Sequence, residues 1–298
     1  MTSIALVTAR QARGLDEDLL PLEAALHAAG VATRVVDWDD PRVPWASFDL
    51  ALIRSTWDYT DRLREFLVWV DSAGSLTRLH NPPRVVRWNT DKHYLSELAG
   101  AGVPVVPSAF IESGENAERS LGAFLASHSA TEFVVKPAVS AGSRDTQRHI
   151  RAQVGPALAH AQRLLDVERS VLLQPYLESV DRDGETSLVF FSGRFSHAIR
   201  KGPLLPRGST ASPAVGLFVP EKITPRTPGT DELQVAEQVL AALPFEAPPL
   251  YARVDLIRDS RGAPTLLELE LTEPSLFFAH TSGAAERFAA AVVEQASG

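Results

Sequence analysis

The sequence predicts an α/β protein with α+β elements, whose chain begins as a parallel sheet and ends in antiparallel strands. Near the N-terminus, short apolar runs alternate with helix-like patterns, which is typical of a parallel sheet covered by helices. Near the C-terminus, residues 251–274 read YARVDLIRDSRGAPTLLELELTEP, two strand-like runs around a polar turn, which indicates a hairpin. At 298 residues and 45% hydrophobic content, the chain can bury a sizeable core and hold two or three subdomains.

Composition narrows the classes of partner. A net charge of -8 gives no basic footprint for nucleic acid or an anionic membrane surface, so we expect a small-molecule partner. The absence of cysteine excludes disulfides, thiolate nucleophiles and cysteine–zinc sites. The first residues contain neither a basic region nor a long apolar segment, which predicts a cytoplasmic protein. A symmetric dimer is the default expectation for a soluble enzyme.

The N-terminal elements are a strand at residues 4–8, a helix at 16–29 ended by Gly30, and strands at 33–36 and 49–53. Ligands of open α/β sheets bind beyond the carboxyl ends of the strands.

The last of these strands runs into a polar and aromatic cluster. Its Ser55, Thr56 and Trp57 are therefore candidate substrate contacts. An equally supported alternative is a capped turn before a helix at residues 61–73.

The paired prolines at residues 82–83 are expected to end this first unit. A helix should follow, capped by Asn89 or Thr90 and ended by Gly100 or Gly102, with Lys92 in its first turn. Because the helix dipole disfavours a cation there, Lys92 either extends into solvent or reaches an anion.

A second lysine lies in a strand predicted at residues 132–139. Lys136 is flanked by apolar residues, so it needs a partner such as phosphate; the alternative is an edge-strand lysine. Ser140 to Arg144 follow as a loop of small residues that could bring backbone N–H groups and one guanidinium near an anion. The remaining elements are strands at 105–109, 169–177, 184–191 and 194–200, helices at 117–126, 231–243 and 284–295, and a long loop at 201–228.

The hairpin carries the strongest chemical signal. Strand alternation places Arg253, Asp255, Glu268 and Glu270 on one face, with Val254, Leu267, Leu269 and Leu271 on the other. A turn centred between residues 261 and 262 places position 255 opposite 268, where two like charges repel. A divalent cation would relieve that repulsion, and three carboxylates without histidine suit magnesium. A solvated acidic face is the alternative, and the two are about equally supported.

Four features in order resemble the ATP-grasp superfamily, in particular carboxylate–amine ligases similar to glutathione synthetase and D-alanine–D-alanine ligase. They are Lys92, Lys136 before its loop, the junction Gln174-Pro175-Tyr176-Leu177, and Arg253-x-Asp255 with Glu268-x-Glu270. The resemblance covers essentially the whole chain. It implies an ATP-grasp fold with an N-terminal α/β domain at residues 1–88, a central lid domain at 89–177 and a C-terminal domain at 178–298.

The resemblance also implies roles for individual residues. Lys92 and Lys136 would contact ATP phosphates, aided by Ser140 and Arg144. The junction from Gln174 through Pro175 and Tyr176 to Leu177 would bind adenine, and Glu185 would lie near the ribose. Asp255, Glu268 and Glu270 would hold two Mg²⁺ ions, with Mn²⁺ as the substitute. Arg253 would face an acyl phosphate. Two departures are Glu270, where many relatives have asparagine, and the few glycines in the loop after Lys136.

The mechanism that the resemblance implies is phosphorylation of a substrate carboxylate, followed by attack of a nitrogen nucleophile. The words RSTWDY, HNPPRVVRWNTDKHYL, SHAIRKGP and YARVDL are similar to a bacterial subgroup that includes O-ureido-D-serine cyclo-ligases, which make D-cycloserine in antibiotic producers. Lys201 would then join Ser55, Thr56, Trp57 and Arg253 around an amino-acid-like substrate.

Three rival functions are an intermolecular amino-acid–amine ligase, a non-catalytic nucleotide-binding module and a dinucleotide oxidoreductase. The last is disfavoured because the turn at residues 8–14 lacks G-x-G-x-x-G.

Overall fold

The computed structural model describes residues 2–205 and 222–297. The part of the predicted long loop at 206–221 lies outside these residues. In the described parts of the chain, no helix is long and apolar enough to cross a membrane.

The N-terminal sheet is parallel, as predicted, with strand order β2-β1-β3-β4. Apolar residues of its strands alternate between two cores: Ile4 and Leu6 pack on one face, Ala5 and Val7 on the other. Helix α2 buries four residues at i, i+3, i+4 and i+7 spacing, as expected for an amphipathic helix. The elements are β1 (Ser3–Thr8), α1 (Leu19–Ala28), β2 (Ala32–Asp37), β3 (Leu50–Ser55), α2 (Leu63–Leu76) and β4 (Arg78–His80).

Two short helices follow where the sequence predicted one, α3 (Pro83–Asn89) and α4 (Tyr94–Gly100). Pro83 starts a helix, since a proline at the first position loses no needed hydrogen bond. Asn89 is the last residue of α3 and is no N-cap. Lys92 lies in the turn between the helices and not in a first turn, with its backbone N–H bonded to the carbonyl of Ala138 at 3.0 Å.

The central sheet is antiparallel, in the order β5-β8-β6-β7. The strand predicted at residues 105–109 lies later in the chain, at β5, and only Val105 makes an isolated bridge, to Leu266. The Asn116 side chain caps helix α5 by accepting the N–H of Arg119 at 2.8 Å. The elements are β5 (Ala109–Ile111), α5 (Ala117–Ser127), β6 (Glu132–Pro137), β7 (Gln147–Ile150), α6 (Val154–Leu165) and β8 (Val171–Pro175).

The C-terminal sheet is antiparallel, in the order β11-β10-β9-β12-β13. Strands β9 and β10 form the predicted hairpin over Ser192 and Gly193. The elements are α7 (Ser179–Asp183), β9 (Glu185–Phe191), β10 (Arg194–Lys201), β11 (Ile223–Arg226), α8 (Thr230–Ala241), β12 (Tyr251–Arg258), β13 (Pro264–Glu270) and α9 (Ala284–Ser297).

Strands β12 and β13 pair with Asp255 opposite Glu268, as predicted, but for a different reason. Near the turn, Arg258 pairs with Pro264 and Leu256 with Leu266, so the turn is centred one half-residue earlier than expected. A bulge after Leu266 then restores the predicted pairing. The prediction that Leu267 shares the face of Leu269 is wrong, because the bulge puts Leu266 in the core and Leu267 at a cavity.

The outer edge of β13 is covered by backbone at one end and by side chains at the other. The backbone of residues 104–106 bonds to both backbone groups of Leu266. The Asn89 amide donates to the carbonyl of Leu269 at 2.8 Å and accepts the N–H of Leu271 at 2.7 Å. The Tyr94 hydroxyl accepts the N–H of Leu269 at 3.0 Å. These bonds satisfy backbone groups that an exposed edge would leave unpaired.

The division at residues 88 and 177 stays a prediction. Each of the three segments contains one sheet, yet their packing interlocks. Helix α4 belongs to the core of the C-terminal sheet, and α9 packs against α1 on the N-terminal sheet.

Candidate active site

A cavity lies between the three sheets. Its lining includes Trp57 just after β3, Lys136 on β6, Gln174 on β8, and Arg253 and Glu268 on the C-terminal sheet. The carboxyl-terminal end of a parallel sheet therefore meets the charged face of an antiparallel one, as the sequence analysis predicted for a ligand site.

Two lysines reach the cavity from different elements. The Lys92 ammonium lies 3.0 Å from Glu268 Oε1 and donates to the backbone and side-chain oxygens of Ser140 at 2.9 and 3.1 Å. Lys136 is buried and, among residues 2–205 and 222–297, makes no ion pair. Burial lowers the pKa of Lys136. A phosphate group would supply the anion that this lysine lacks.

Asp255 is the most deeply buried acid of the site, and it is fully paired. It accepts hydrogen bonds from Arg253 Nε at 2.9 Å and from Lys201 Nζ at 2.8 Å. Burial alone would raise the pKa of Asp255, but these two cations outweigh burial and hold it well below its usual range. Asp255 does not line the cavity.

Glu268 and Glu270 face the cavity, each with about a quarter of its side chain exposed (25% and 27%). Burial opposes ionisation of both. For Glu268, Lys92 and Lys136 overcome burial and lower the pKa. For Glu270, burial together with Asp255 and Glu268 exceeds the effect of its partner Arg253 and raises the pKa to about 7.

The carboxylates predicted to bind metal are held by cationic side chains. Consequently, no three acidic or histidine side chains within 2–205 and 222–297 are arranged to hold a metal ion as they stand. The donor chemistry nevertheless fits, since Asp255, Glu268 and Glu270 supply only hard oxygen atoms from adjacent strands. Their assignment as ligands stays a prediction.

The predicted adenine junction forms one wall of the cavity. Gln174, Pro175, Tyr176 and Leu177 all line it. The N–H of Tyr176 donates a hydrogen bond to the carbonyl of Glu132 at 2.9 Å. The N–H of Leu177, by contrast, donates to no group among the described residues. Apolar side chains complete this slot: Val134, Val180, Leu204, Leu205, Ile257 and Leu267.

Glu185 and Lys201 form an ion pair at the cavity wall. Gly184, just before Glu185, has a φ of +73°, and a side chain there would collide with the backbone carbonyl of Lys201. Glycine therefore permits the close approach of β9 and β10 that brings these two charges together.

Three predicted contacts lie outside the cavity lining. Arg144 turns away to Asp61, at 2.9 Å, and to Thr60. Ser55 is fully buried and bonds with the Thr8 hydroxyl at 2.8 Å. The hydroxyl of Thr56 is buried with no hydrogen-bond partner among the described residues. Of the predicted substrate residues near β3, the structure brings only Trp57 to the cavity.

Comparison with known proteins identifies the family of this chain. Residues 4–81 match the family model described as D-cycloserine synthetase DcsG, N-terminal domain. The chain is 41% identical, over 99% of both chains, to the cycloserine biosynthesis protein DcsG of Streptomyces lavendulae. The chain belongs to the D-cycloserine synthetase family.

Solved structures place this family member in the ATP-grasp fold. The crystal structure of D-cycloserine synthetase DcsG superposes with a TM-score of 0.93 at 40% identity, over 99% of each chain. The ATP complex of D-alanine–D-alanine ligase from Bacillus anthracis gives 0.72 at 13% identity over 100% and 98%. The ATP-grasp ligase PsnB, with minimal precursor, Mg and ADP, gives 0.63 at 17% over 98% and 97%.

The sequence analysis missed Glu273, which lines the cavity together with Tyr59 of the polar and aromatic cluster after β3. Glu273 is buried, and burial, reinforced by repulsion from Glu270, raises its pKa to about 8. Strand alternation could not find it, because β13 ends at Glu270 and Glu273 lies in the following turn. The available signal was a third acid in the run E-x-E-x-x-E immediately before Pro274.

Proposed function

We propose that this chain is an ATP- and Mg²⁺-dependent ligase that closes O-ureido-D-serine to D-cycloserine. The observation that carries the proposal is the convergence of Lys92, Lys136 and Arg253 with Glu268 and Glu270 on one cavity. Near-full-length similarity to DcsG supports the specific reaction. The fold alone, shared with ligases of other substrates, supports only the use of ATP.

In this proposal, the apolar slot beside Leu177 holds adenine and the two lysines bind phosphate oxygens. Asp255, Glu268 and Glu270 would hold two magnesium ions, which neutralise charge on the transferring phosphoryl group when bound. The present ion pairs suit that role. Each carboxylate is already ionised or close to a cation, so exchange of one cation for another needs little rearrangement of charge.

The reaction has two bond-forming steps. A carboxylate oxygen of the substrate attacks the γ-phosphorus of ATP, and ADP leaves. The nitrogen next to the side-chain oxygen then attacks the acyl carbon, phosphate leaves, and the carbamoyl group is lost with water as carbon dioxide and ammonia. Arg253 pairs with Asp255 and Glu270 before magnesium binds, and once released it would stabilise negative charge on the acyl phosphate. Lys201, which shares Asp255 with Arg253, would be released in the same way.

Incubation of the protein with O-ureido-D-serine, ATP and MgCl₂ tests the proposal. We expect phosphate release and a product with the mass of D-cycloserine, with no second amine present. Reactions without O-ureido-D-serine or with EDTA are the controls. Phosphate release that strictly requires an added amine would instead identify an intermolecular ligase. Nucleotide binding without turnover of any candidate acid would identify a non-catalytic module.

A further inference from the structure

Glu273 is unlike the other acids that line the cavity, because among the described residues no cationic side chain pairs with it. It is 7% exposed, and that small surface is part of the cavity lining. The other lining acids are paired: Glu268 with Lys92, Glu270 with Arg253, and Glu185 with Lys201.

Neighbouring groups fix the position of Glu273 from both sides. Its backbone carbonyl accepts a hydrogen bond from Trp57 Nε1 at 3.2 Å, and its carboxyl group interacts with the Tyr59 side chain. The carbonyl of the next residue, Pro274, accepts a bond from the buried Arg54 at 2.9 Å. The segment is therefore tied to the end of β3.

A buried carboxylate from the N-terminal region fixes the chain just beyond. Asp18 accepts the backbone N–H groups of Leu276, Phe277 and Phe278 at 2.5, 3.1 and 2.8 Å. Three hydrogen bonds to one side chain make a rigid support. Glu273 is thus held at the cavity by contacts made before any ligand arrives, which is the arrangement expected of a recognition residue.

The chemistry around Glu273 favours a cationic ligand group. A buried carboxylate without a cation is costly, and the nearby Glu270 and Glu268 add repulsion. An ammonium group would relieve both effects. The rings of Trp57 and Tyr59 also line this part of the cavity, and aromatic faces attract cations.

We propose that Glu273 binds the α-ammonium group of the substrate and thereby selects amino acids over other carboxylic acids. The inference rests on the proposed function, because it assumes that the carboxylate to be activated belongs to an amino acid. It adds a specificity residue to the lining of the same cavity.

This assignment is tested by comparing two forms of the enzyme, each with two substrates. Wild type and Glu273→Gln are assayed for phosphate release with O-ureido-D-serine and with 3-(ureidooxy)propanoic acid, which lacks only the amine. We expect wild type to prefer the amino acid by about 10- to 100-fold in kcat/KM, the range of a charged hydrogen bond. The preference should fall to within about threefold in Glu273→Gln, with the KM for ATP unchanged.

Glu273→Asp and Tyr59→Phe complete the experiment. Glu273→Asp keeps the charge and should retain part of the preference, whereas Tyr59→Phe should weaken it less than Glu273→Gln does. Circular dichroism and ADP binding show whether each variant is folded.

Three results with Glu273→Gln would overturn the assignment. One is an undiminished preference in Glu273→Gln. Another is a raised Mg²⁺ requirement in that variant, which would make Glu273 a metal ligand. The third is loss of kcat with both compounds at unchanged KM, which would make it a proton acceptor. The wild-type results separate the proposed function from the inference. If wild type releases no phosphate with O-ureido-D-serine, the proposed function fails, and the inference fails with it. Equal use of both compounds by wild type rejects the ammonium site alone.

Discussion

The acidic hairpin β12–β13 and the segment Ser55–Trp57 were both predicted to be parts of the site, but they contribute to the cavity to different extents. The hairpin presents Arg253, Glu268 and Glu270 to the cavity, on the face that alternation assigned. Of Ser55, Thr56 and Trp57, only Trp57 reaches the cavity.

The contrast follows from how each backbone directs its side chains. A strand sends alternate residues to opposite faces, so knowing one residue's side fixes the others. After β3 the chain enters a 3₁₀ turn at Trp57–Asp61, and its side chains follow whichever distant partners they find. Ser55 bonds to Thr8, and Trp57 bonds to Glu273, far away in sequence.

The largest effect is expected for Glu268→Gln on the hairpin. It removes a charge that faces the cavity and pairs with Lys92, so turnover should fall by about 100- to 1,000-fold. Phosphate release measures the loss, and circular dichroism should show an unchanged fold. Glu286→Gln, an exposed acid on α9, is the control. Near-wild-type turnover would mean that the hairpin is only a solvated face.

The segment after β3 is tested by a matched pair of variants. Trp57→Phe removes a donor at the cavity wall, so the KM for the amino-acid substrate should rise by about tenfold while that for ATP is kept. Ser55→Ala breaks a buried bond away from the cavity and should cost about 1 kcal/mol of stability. Urea unfolding and substrate titrations separate the two effects. A KM change in Ser55→Ala as large as in Trp57→Phe would restore Ser55 to the substrate wall.

The turn beyond β13 should make stability depend on pH. Burial raises the folded-state pKa of Glu273 from an ordinary 4.5 to about 8; repulsion from Glu270 and Glu268 acts in the same direction, whereas Tyr59 and Lys92 oppose it. Between these values the folded protein binds more protons than the unfolded one, so the stability of the free protein falls as pH rises through this window. In the absence of nucleotide, the Tm of Glu273→Gln should fall less than the Tm of wild type as the pH is raised from 5 to 8. Parallel Tm curves would contradict the raised pKa. Glu270, whose pKa is raised to about 7, should leave a residual slope.

The smallest effect is expected for Arg144→Gln. Arg144 pairs with the half-exposed Asp61, and such pairs contribute about 0–1 kcal/mol. The free energy of unfolding should therefore change by less than about 1 kcal/mol, and the KM for ATP by less than about fivefold. Asp61→Asn should reproduce whatever change occurs. A tenfold rise in the KM for ATP in Arg144→Gln alone would show that the guanidinium leaves Asp61 for a phosphate.

Local rules predicted a large part of the fold. The parallel N-terminal sheet and the hairpin over Ser192 and Gly193 follow from apolar periodicity and turn residues. Asp255 pairs with Glu268 as predicted, but the bulge after Leu266 produces that register. The separation of α3 from α4 did not follow from these local rules. Asn89 leaves its expected cap position because its amide completes the edge of β13, and no local pattern reveals that partner.

The sequence by itself determined which charges this protein places on one face of a hairpin, because the side-chain direction of a strand repeats every two residues. Tertiary structure decided which of those charges are already neutralised. Lys92 and Lys201 meet Glu268 and Asp255 only when separate elements pack together. It also decided that Glu273 joins the site, since its place depends on a hydrogen bond to its backbone carbonyl from Trp57 in the turn after β3.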